Sequence, residues 1–226
     1  MRTIYRTLSE IVAPSHTCLV AWDFLDALLD NSFNREEVIS NEANFMGSAR
    51  SHGIPVVYTR IVALPHHFDS PFAIYKQLKA AGVDSLEDLP APREYHINER
   101  LAPQEHDFVI EKHSWSIFNG TYFENLMRNM GIETIIFTGL STEKGVDTSA
   151  RDASARGFYT IVASDCVSAA DRELHEAALK TLGRGGACVI ESSANIISSW
   201  SALVERPEQI GSTGRAERTQ RERQPG

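Results

Sequence analysis

The sequence predicts an α/β fold in three layers, with a six-stranded, mostly parallel sheet flanked by helices. Short apolar runs rich in β-branched residues alternate with longer amphipathic segments, which is the pattern of strands and their covering helices. Glycines follow several of the helical segments, at the position where helices commonly end. With 226 residues, 42% of them hydrophobic, the chain can bury one sizeable core without disulfide or metal support. We therefore expect a single domain over residues 1–205.

The predicted elements follow from the positions of these runs and glycines. Six strands are predicted, at 17–24, 54–61, 107–111, 134–139, 159–164 and 187–190. Helices are predicted between them, at 35–51, 71–81, 121–130, 145–156 and 171–182, with Gly53, Gly131, Gly157 and Gly183 at four of their ends. The proline-rich segment 64–104, here called the excursion, is expected to run over one end of the sheet. Residues 206–226 are mostly polar and are expected to form a disordered tail.

Charge and cysteine content exclude several classes of function. The net charge is −8, and residues 206–226 carry five arginines and three glutamates, which leaves about −10 on the rest of the chain. Nucleic acid and anionic membranes are therefore poor partners. The three cysteines are far apart in the sequence, and no two of them form a CxxC motif. Neither a disulfide framework nor a zinc site is therefore expected. With no apolar run near the ~20 residues of a membrane helix, and no signal-peptide core, we expect a cytoplasmic protein.

Three polar positions at predicted strand ends are candidates for chemistry. Asp23 ends the first apolar strand, Lys112 closely follows the third, and the turn 139–145 joins the fourth strand to a helix. In a parallel sheet the ligand crevice lies beyond the carboxyl ends of the strands. We expect Asp23 and Lys112 to lie at hydrogen-bonding distance there, because the two strands that carry them are predicted to be neighbours. A carboxylate and an ammonium that meet there would shift each other's pKa and could relay a proton. Taken alone, the residue types leave open that Asp23 is a turn residue and Lys112 a solvated surface charge.

Three segments resemble a known family when taken in order. They are VAWDF at 20–24, VIEKHSWSIFNGT at 109–121, and FTGLSTEKGVDTSARDASARGFYTIVASDCVSA at 137–169. Together they are similar to the isochorismatase-like hydrolases, also called the cysteine hydrolase superfamily, which includes nicotinamidases, N-carbamoylsarcosine amidases and true isochorismatases. The resemblance covers about residues 18–200. It implies a Rossmann-like sheet of six parallel strands, a small-molecule substrate, and a homo-oligomer, either a dimer or a tetramer.

The resemblance also implies roles for individual residues. The catalytic aspartate of the family falls on Asp23 and its lysine on Lys112. The nucleophilic cysteine of the family falls on Gly145, which has no side chain. A non-proline cis peptide in relatives falls on Leu140–Ser141, which would turn the amides of Ser141 and Gly145 toward the substrate as an oxyanion site. We expect the glycine to leave a cleft with room for water or a bulky ring.

None of the three cysteines replaces the missing thiol by alignment. Cys18 lies inside the first predicted strand, Cys166 is expected just after the fifth, and Cys188 lies in the sixth. Glycine at position 145 resembles some true isochorismatases, which cleave a vinyl ether without a covalent intermediate. In that reaction Asp23 would be the general acid and Lys112 its partner.

Further residues are candidates for substrate binding. Arg60 at the end of the second strand could contact a substrate carboxylate, although an ion pair with an acidic neighbour is an equal alternative. Trp115 and Phe118 could form an apolar wall, or belong to the core. The family's metal ligands are not matched, because Thr59 and Arg60 stand at the first positions. No metal ion and no cofactor are expected.

Four hypotheses follow from the sequence. The first is hydrolysis of a vinyl ether of the isochorismate type, although the excursion lacks the Gln and Trp-Gly pattern of true isochorismatases. The second is water-mediated hydrolysis of an amide or imide by Asp23 and Lys112. The third is a catalytically silent family member that binds a metabolite or acts as a scaffold. The fourth is that Gly145 replaces a natural cysteine.

Overall fold

The computed structural model describes residues 3–92 and 94–204, and the expected tail at 206–226 lies outside the described residues. Its centre is a six-stranded sheet in which every neighbouring pair of strands is parallel. Helices cover both faces, so the predicted fold class is confirmed, with an all-parallel rather than a mostly parallel sheet. In the described part of the chain, no helix combines the length and the apolar character needed to cross a membrane.

Most of the predicted elements are present, with small shifts at their ends. The strands are β1 (Thr17–Trp22), β2 (Val56–Ile61), β3 (Phe108–Lys112), β4 (Thr134–Leu140), β5 (Tyr159–Ser168) and β6 (Val189–Glu191). The helices are α1 (Leu8–Ile11), α2 (Asp26–Leu29), α3 (Arg35–Ser51), α4 (Pro71–Ala81), α5 (Phe123–Asn129), α6 (Asp147–Ala155), α7 (Arg172–Arg184) and α8 (Ser193–Val204). The strand order across the sheet is β3-β2-β1-β4-β5-β6.

Three boundaries differ from the prediction in ways that matter. β5 continues to Ser168, so Cys166 lies within the strand and not after it. Gly183 lies inside α7, and the glycine with a left-handed backbone beyond that helix is Gly186, with φ of 72°. A π-helical turn, Thr142–Val146, precedes α6, so Gly145 lies in this turn instead of starting a regular helix.

Two hydrophobic cores lie on opposite faces of the sheet, and period-two alternation along the strands supplies both. The first core joins residues such as Leu19 and Tyr58 to α3 and α8. The second joins residues such as Val20 and Val57 to α5, α6 and α7. The sequence analysis missed α8. Trp200 of this helix stacks on Phe45 with ring centroids 5.2 Å apart and donates its indole N–H to the Val12 carbonyl at 2.8 Å.

In a parallel sheet of this kind a ligand crevice is expected at the carboxyl ends of β1 and β4, where the winding of the chain reverses. At their carboxyl ends Trp22 pairs with Gly139, whose φ is 109°. A Cβ atom on Gly139 would lie 2.8 Å from the Trp22 nitrogen and would overlap the Trp22 carbonyl. Glycine is therefore required for the two strand ends to approach, and this brings the turn after β4 next to Trp22.

The excursion is poorly covered by the rest of the chain. None of its described residues from 64 to 97 is buried. Phe68, Phe72 and Tyr75 are 71%, 68% and 55% exposed, as expected from the sequence, whereas Ile74 is partly buried on α4. The aromatic side chains of this segment thus form an apolar surface at one end of the molecule.

One carboxyl group is fully buried in the first core. Glu42 of α3 accepts a hydrogen bond from the Thr138 hydroxyl at 2.8 Å, and the thiol of Cys166 lies beside it. Burial raises the pKa of Glu42 to about 8, because the hydrogen bonds only partly offset the loss of solvation. The folded protein therefore holds a proton on Glu42 at neutral pH, while the unfolded chain does not.

This carboxyl group makes stability depend on pH with a definite sign. Its stabilising contribution is complete below the ordinary pKa near 4.5 and is lost as the pH rises through about 8. We predict that Glu42→Gln, which keeps the acceptor for Thr138, reduces the fall in unfolding free energy between pH 5 and pH 8. Urea titrations across this range measure the effect, and the exposed Glu37→Gln on the same helix is the control. An unchanged pH slope in Glu42→Gln would contradict the assignment.

Candidate active site

Asp23 and Lys112 form a buried ion pair at the carboxyl edge of the sheet. The Lys112 ammonium donates to Oδ2 of Asp23 at 2.7 Å, and the side chains are only 1% and 6% exposed for Lys112 and Asp23. The expected closeness is therefore observed, but the expected reason is wrong. β1 and β3 are not neighbours, since β2 lies between them. The long lysine side chain reaches across the end of β2 to make the contact.

β2 contributes a third polar residue, Thr59, which the sequence analysis did not select as part of the site. Its hydroxyl donates to Oδ1 of Asp23 at 2.6 Å and accepts the Asp23 backbone N–H at 3.0 Å. Thr59 is completely buried. A signal for it was available, because a buried polar residue at the carboxyl end of an otherwise apolar strand needs a partner.

The backbone of Asp23 directs its carboxylate toward these partners. Along β1, alternation would place Asp23 on the face of Ala21, in the first core. Its φ of 44° is left-handed, a conformation that aspartate adopts more readily than most residues. The carboxylate therefore meets Thr59 and Lys112, whose strands present them on the opposite face.

Burial dominates the electrostatics of the pair. Loss of solvation raises the pKa of the Asp23 carboxyl, and the charge and hydrogen bond of Lys112 and the hydroxyl of Thr59 only partly offset this. Burial likewise lowers the pKa of Lys112, with Asp23 acting in the opposite direction. The two shifts bring the pKa values of Asp23 and Lys112 closer together, which is typical of groups that take part in proton transfer.

The space beside Gly145 is filled, so the expected roomy cleft at this residue is not present. Gly145 is buried, and a Cβ atom built on it would lie 2.5 Å from Cζ2 of Trp22 and closer still to Nε1 and Cε2. The Trp22 indole therefore occupies the position that a side chain at 145 would need. The same ring faces Lys112, whose ammonium lies 4.0 Å from its centroid.

The turn after β4 is fixed by its own hydrogen bonds and by those to neighbouring elements. The peptide bond between Leu140 and Ser141 is cis. The Ser141 carbonyl accepts N–H groups from Lys144 at 3.1 Å and from Val146 at 3.4 Å. The hydroxyl of the next residue, Thr142, donates to the Ser168 carbonyl at 3.0 Å and lies 2.8 Å from Nδ1 of the buried His175. The end of β5 and helix α7 thus hold this turn in place.

The three candidate substrate-binding residues, Arg60, Trp115 and Phe118, lie in different surroundings. Arg60 forms an ion pair with Glu111 of β3 on the face away from Asp23, so the ion-pair alternative is the one observed. Trp115 is 54% exposed and lines a cavity of about 680 Å³, with the Lys76 ammonium 5.5 Å from its ring centroid.

Phe118 belongs to the packing of the fold and not to that cavity. It packs edge-on against Phe123 at 5.1 Å and lies under the Arg156 guanidinium. These contacts attach the chain after Lys112 to α5 and α6, which is a structural role. The interpretation of Phe118 as part of the substrate wall is therefore not supported by its contacts.

In the described residues the cysteines form no disulfide and the histidines belong to no metal-binding cluster. Cys18 and Cys166 are buried, Cys188 is partly buried, and none is in a disulfide. Burial and the nearby carboxyls of Glu42 and Asp165 raise the pKa of Cys166, which keeps it an unreactive thiol. Within residues 3–92 and 94–204, no group of three or more His, Cys, Asp or Glu side chains could hold a metal ion.

Comparison with known proteins agrees with this architecture. Residues 17–194 match the isochorismatase domain. The structure is similar to a cysteine hydrolase from Pseudomonas syringae, with a TM-score of 0.73 at 18% identity over 85% of this chain and 95% of that one. It is also similar to N-carbamoylsarcosine amidase from Thermoplasma acidophilum, with a TM-score of 0.60 at 23% identity over 79% and 96%. Fold and site together are those of a small-molecule hydrolase.

The chain belongs to the isochorismatase family, whose members are hydrolases. Similar curated proteins include an uncharacterized isochorismatase family protein of Escherichia coli, 29% identical over 70% of this chain and 83% of that protein. The Escherichia coli enterobactin synthase component B is 28% identical over 85% and 68%. The Pseudomonas putida maleamate amidohydrolase is 31% identical over 62% of this chain and 64% of its own length.

Thr59 provides a direct test of how Asp23 is held. We predict that Thr59→Val lowers the unfolding free energy by about 1–3 kcal/mol, because it leaves the Asp23 N–H and one carboxylate oxygen buried without that partner. Thr59→Ser, which keeps the hydroxyl, is the matched control. Chemical denaturation measures the unfolding free energy of both variants. Equal stability of Thr59→Val and the wild type would contradict a stabilising role for the hydrogen bonds between Thr59 and Asp23.

Proposed function

We propose that this protein hydrolyses a small-molecule vinyl ether of the isochorismate type by acid catalysis, without a covalent intermediate. The observation that carries the proposal is the Asp23 carboxyl, buried and held by Lys112 and Thr59. It lies in a site whose nucleophile position is a glycine covered by Trp22. Such a site can donate a proton but has no side chain at 145 that could attack a substrate.

The reaction begins with the proton of Asp23. Asp23 transfers it to the terminal carbon of the vinyl ether, which leaves an oxocarbenium ion and an aspartate anion. Water adds to the cation, and the resulting hemiketal collapses to pyruvate and a ring alcohol. The proton lost by the water returns to Asp23, so the enzyme is regenerated and one water is consumed.

Lys112 and Thr59 stabilise the charge that this step creates. When Asp23 loses its proton, the ammonium of Lys112 and the hydroxyl of Thr59 each donate to one carboxylate oxygen. The partners are in place before the reaction, so little reorganisation is needed in the transition state. Lys112 is thus the electrostatic partner of the acid.

The cavity beside Trp115 is our candidate for the substrate ring, although Asp23 and Lys112 are not among the residues that line it. It has a volume of about 680 Å³, within the range of small-molecule sites, and is lined by His113 and Trp115, which follow Lys112 closely in the chain. Lys76 in its wall could donate hydrogen bonds to a substrate carboxylate. No cofactor enters the proposed reaction.

A second candidate is hydrolysis of an amide or imide by water activated at the same pair. It is favoured by the names of two relatives, the maleamate amidohydrolase and an N-carbamoylsarcosine amidase from Arthrobacter that is 30% identical over 58% of this chain. In this reaction Asp23 would act as a base, so the rate would rise with pH where the acid mechanism makes it fall.

The substrate assay separates the two reactions. We predict that the protein releases pyruvate from isochorismate and that Asp23→Asn lowers the rate by about 10²- to 10⁴-fold, the usual contribution of a general acid. The exposed Asp30→Asn is the control and should keep the wild-type rate. Ammonia release from maleamate or other amides without pyruvate release would support the second reaction. No turnover in either assay would favour a silent binding protein.

We also propose that the protein is a homodimer or homotetramer of the reducing cytosol. The exposed aromatic residues of the excursion supply an apolar surface of the kind that subunits cover, and all three cysteines are free thiols. The acidic body makes nucleic acid and membranes poor partners.

Light scattering tests the assembly. We predict an oligomer at micromolar concentration, shifted toward monomer by Phe68→Ser combined with Phe72→Ser because these changes remove exposed apolar area. Leu174→Ser on α7, an exposed apolar residue outside the excursion, is the control. A monomeric wild-type protein would contradict the proposal.

A further inference from the structure

Trp22 occupies space that a family nucleophile would need. It is 1% exposed and packs in the second core at the end of β1. A Cβ atom at residue 145 would lie 2.5 Å from Cζ2 and closer to two other indole atoms, where real Cβ atoms are essentially never found. Since the interior is close-packed, the indole and a side chain at 145 cannot both adopt these positions.

The same ring also contacts the catalytic pair. The Lys112 ammonium lies 4.0 Å from the indole centroid and 2.7 Å from Oδ2 of Asp23. A cation over an indole face is stabilised by the ring quadrupole, more strongly where water is excluded. Trp22 therefore contacts both the turn that contains Gly145 and the ammonium that holds Asp23.

We propose that Trp22 is the specificity-determining residue of this site. Its indole takes the place of a nucleophilic side chain at 145 and supports Lys112 against Asp23, which commits the site to proton transfer and excludes covalent attack. The choice of chemistry rests on the proposed function, whereas the mutual exclusion of the indole and a side chain at 145 rests on geometry alone. Trp22 and Gly145 therefore act as one unit, and thiol chemistry requires both to change.

The proposal predicts strong coupling between substitutions at the two positions. Gly145→Cys alone places its side chain against the indole and should lower the melting temperature. Trp22→Val alone leaves a cavity and should also lower it. The double variant, Trp22→Val with Gly145→Cys, replaces one large side chain by two small ones. Its melting temperature should therefore lie well above the value expected from adding the two single losses.

The double variant should also gain a reactive thiol. The introduced sulfur would lie beside the Lys112 ammonium, which favours the thiolate. With iodoacetamide, the thiolate sulfur forms a bond to carbon, the carbon–iodine bond breaks with release of iodide, and the thiol proton passes to solvent. We expect alkylation at least about tenfold faster than at the partly buried native Cys188. Gly145→Cys with Trp22 intact should react more slowly than the double variant.

A second double-mutant cycle, with Gly145→Ala in place of Gly145→Cys, tests the coupling without a thiol. Gly145→Ala adds only the Cβ atom, so Trp22→Val should recover part of the stability that Gly145→Ala loses. The proposal is overturned if neither double variant recovers stability relative to its Gly145 single variant, including the case in which neither folds. It is also overturned if Gly145→Cys alone melts like the wild type and alkylates as fast as the double variant.

Activity distinguishes this inference from the proposed function. If isochorismate is the substrate, Trp22→Leu should lower kcat and move the alkaline limb of its pH profile, which reports Asp23, to higher pH. Lys112 loses the ring that favours its charged form and then opposes protonation of Asp23 less strongly. A kcat profile unchanged by Trp22→Leu would overturn the role at Lys112. If isochorismate is not turned over at all, the proposed function fails while the stability cycles still decide whether Trp22 and Gly145 are coupled.

Discussion

The site depends on one contact, the buried ion pair between Asp23 of the β1 end and Lys112 of β3. Removing two charges from water is costly, so such a pair persists only when its remaining polar atoms are satisfied. Here the Thr59 hydroxyl contacts the second carboxylate oxygen and the Trp22 ring faces the ammonium. The pair and its two supports come from three adjacent strands, β3, β2 and β1. The pair therefore requires the sheet order as well as the residue types.

The strand β4 and the turn after it determine which groups lie beside Trp22, next to the Asp23–Lys112 pair. Gly139 lets its backbone come close to Trp22, and the turn that follows brings Gly145 against the indole. Two glycines without side chains thus permit a tryptophan to lie where a nucleophile would otherwise be. Family membership defines the hydrolase fold and the general site, whereas this packing distinguishes the chemistry that we propose from that of a thiol-dependent enzyme.

Local patterns in the sequence predicted most of the fold, because period-two and helical periodicities reflect which face of each element is buried. The predicted limits of α3 and α4 agree with the structure. Helix α8 was missed, since its serine-rich sequence is stabilised mainly by the tertiary contacts of Trp200. Asp23 and Lys112 were selected by their positions at strand ends and by the family resemblance, but the residues that contact them were not. The reach of Lys112 across β2, the bridge through Thr59 and the overlap of Trp22 with position 145 are distances between strands, which no local pattern contains.

Burial raises the pKa of the Asp23 carboxyl despite the ammonium beside it, and the proposed acid catalysis requires this shift. An NMR titration of the protein labelled with ¹³C at the aspartate carboxyl carbons measures this pKa, with Asp23 assigned by comparison with Asp23→Asn. We predict a pKa above the ordinary aspartate value of about 3.9, and a still higher pKa in Lys112→Met, where the opposing charge is removed. A pKa at or below the ordinary value in the wild-type protein would contradict it, because Asp23 would then be an obligate anion across the range in which it must donate.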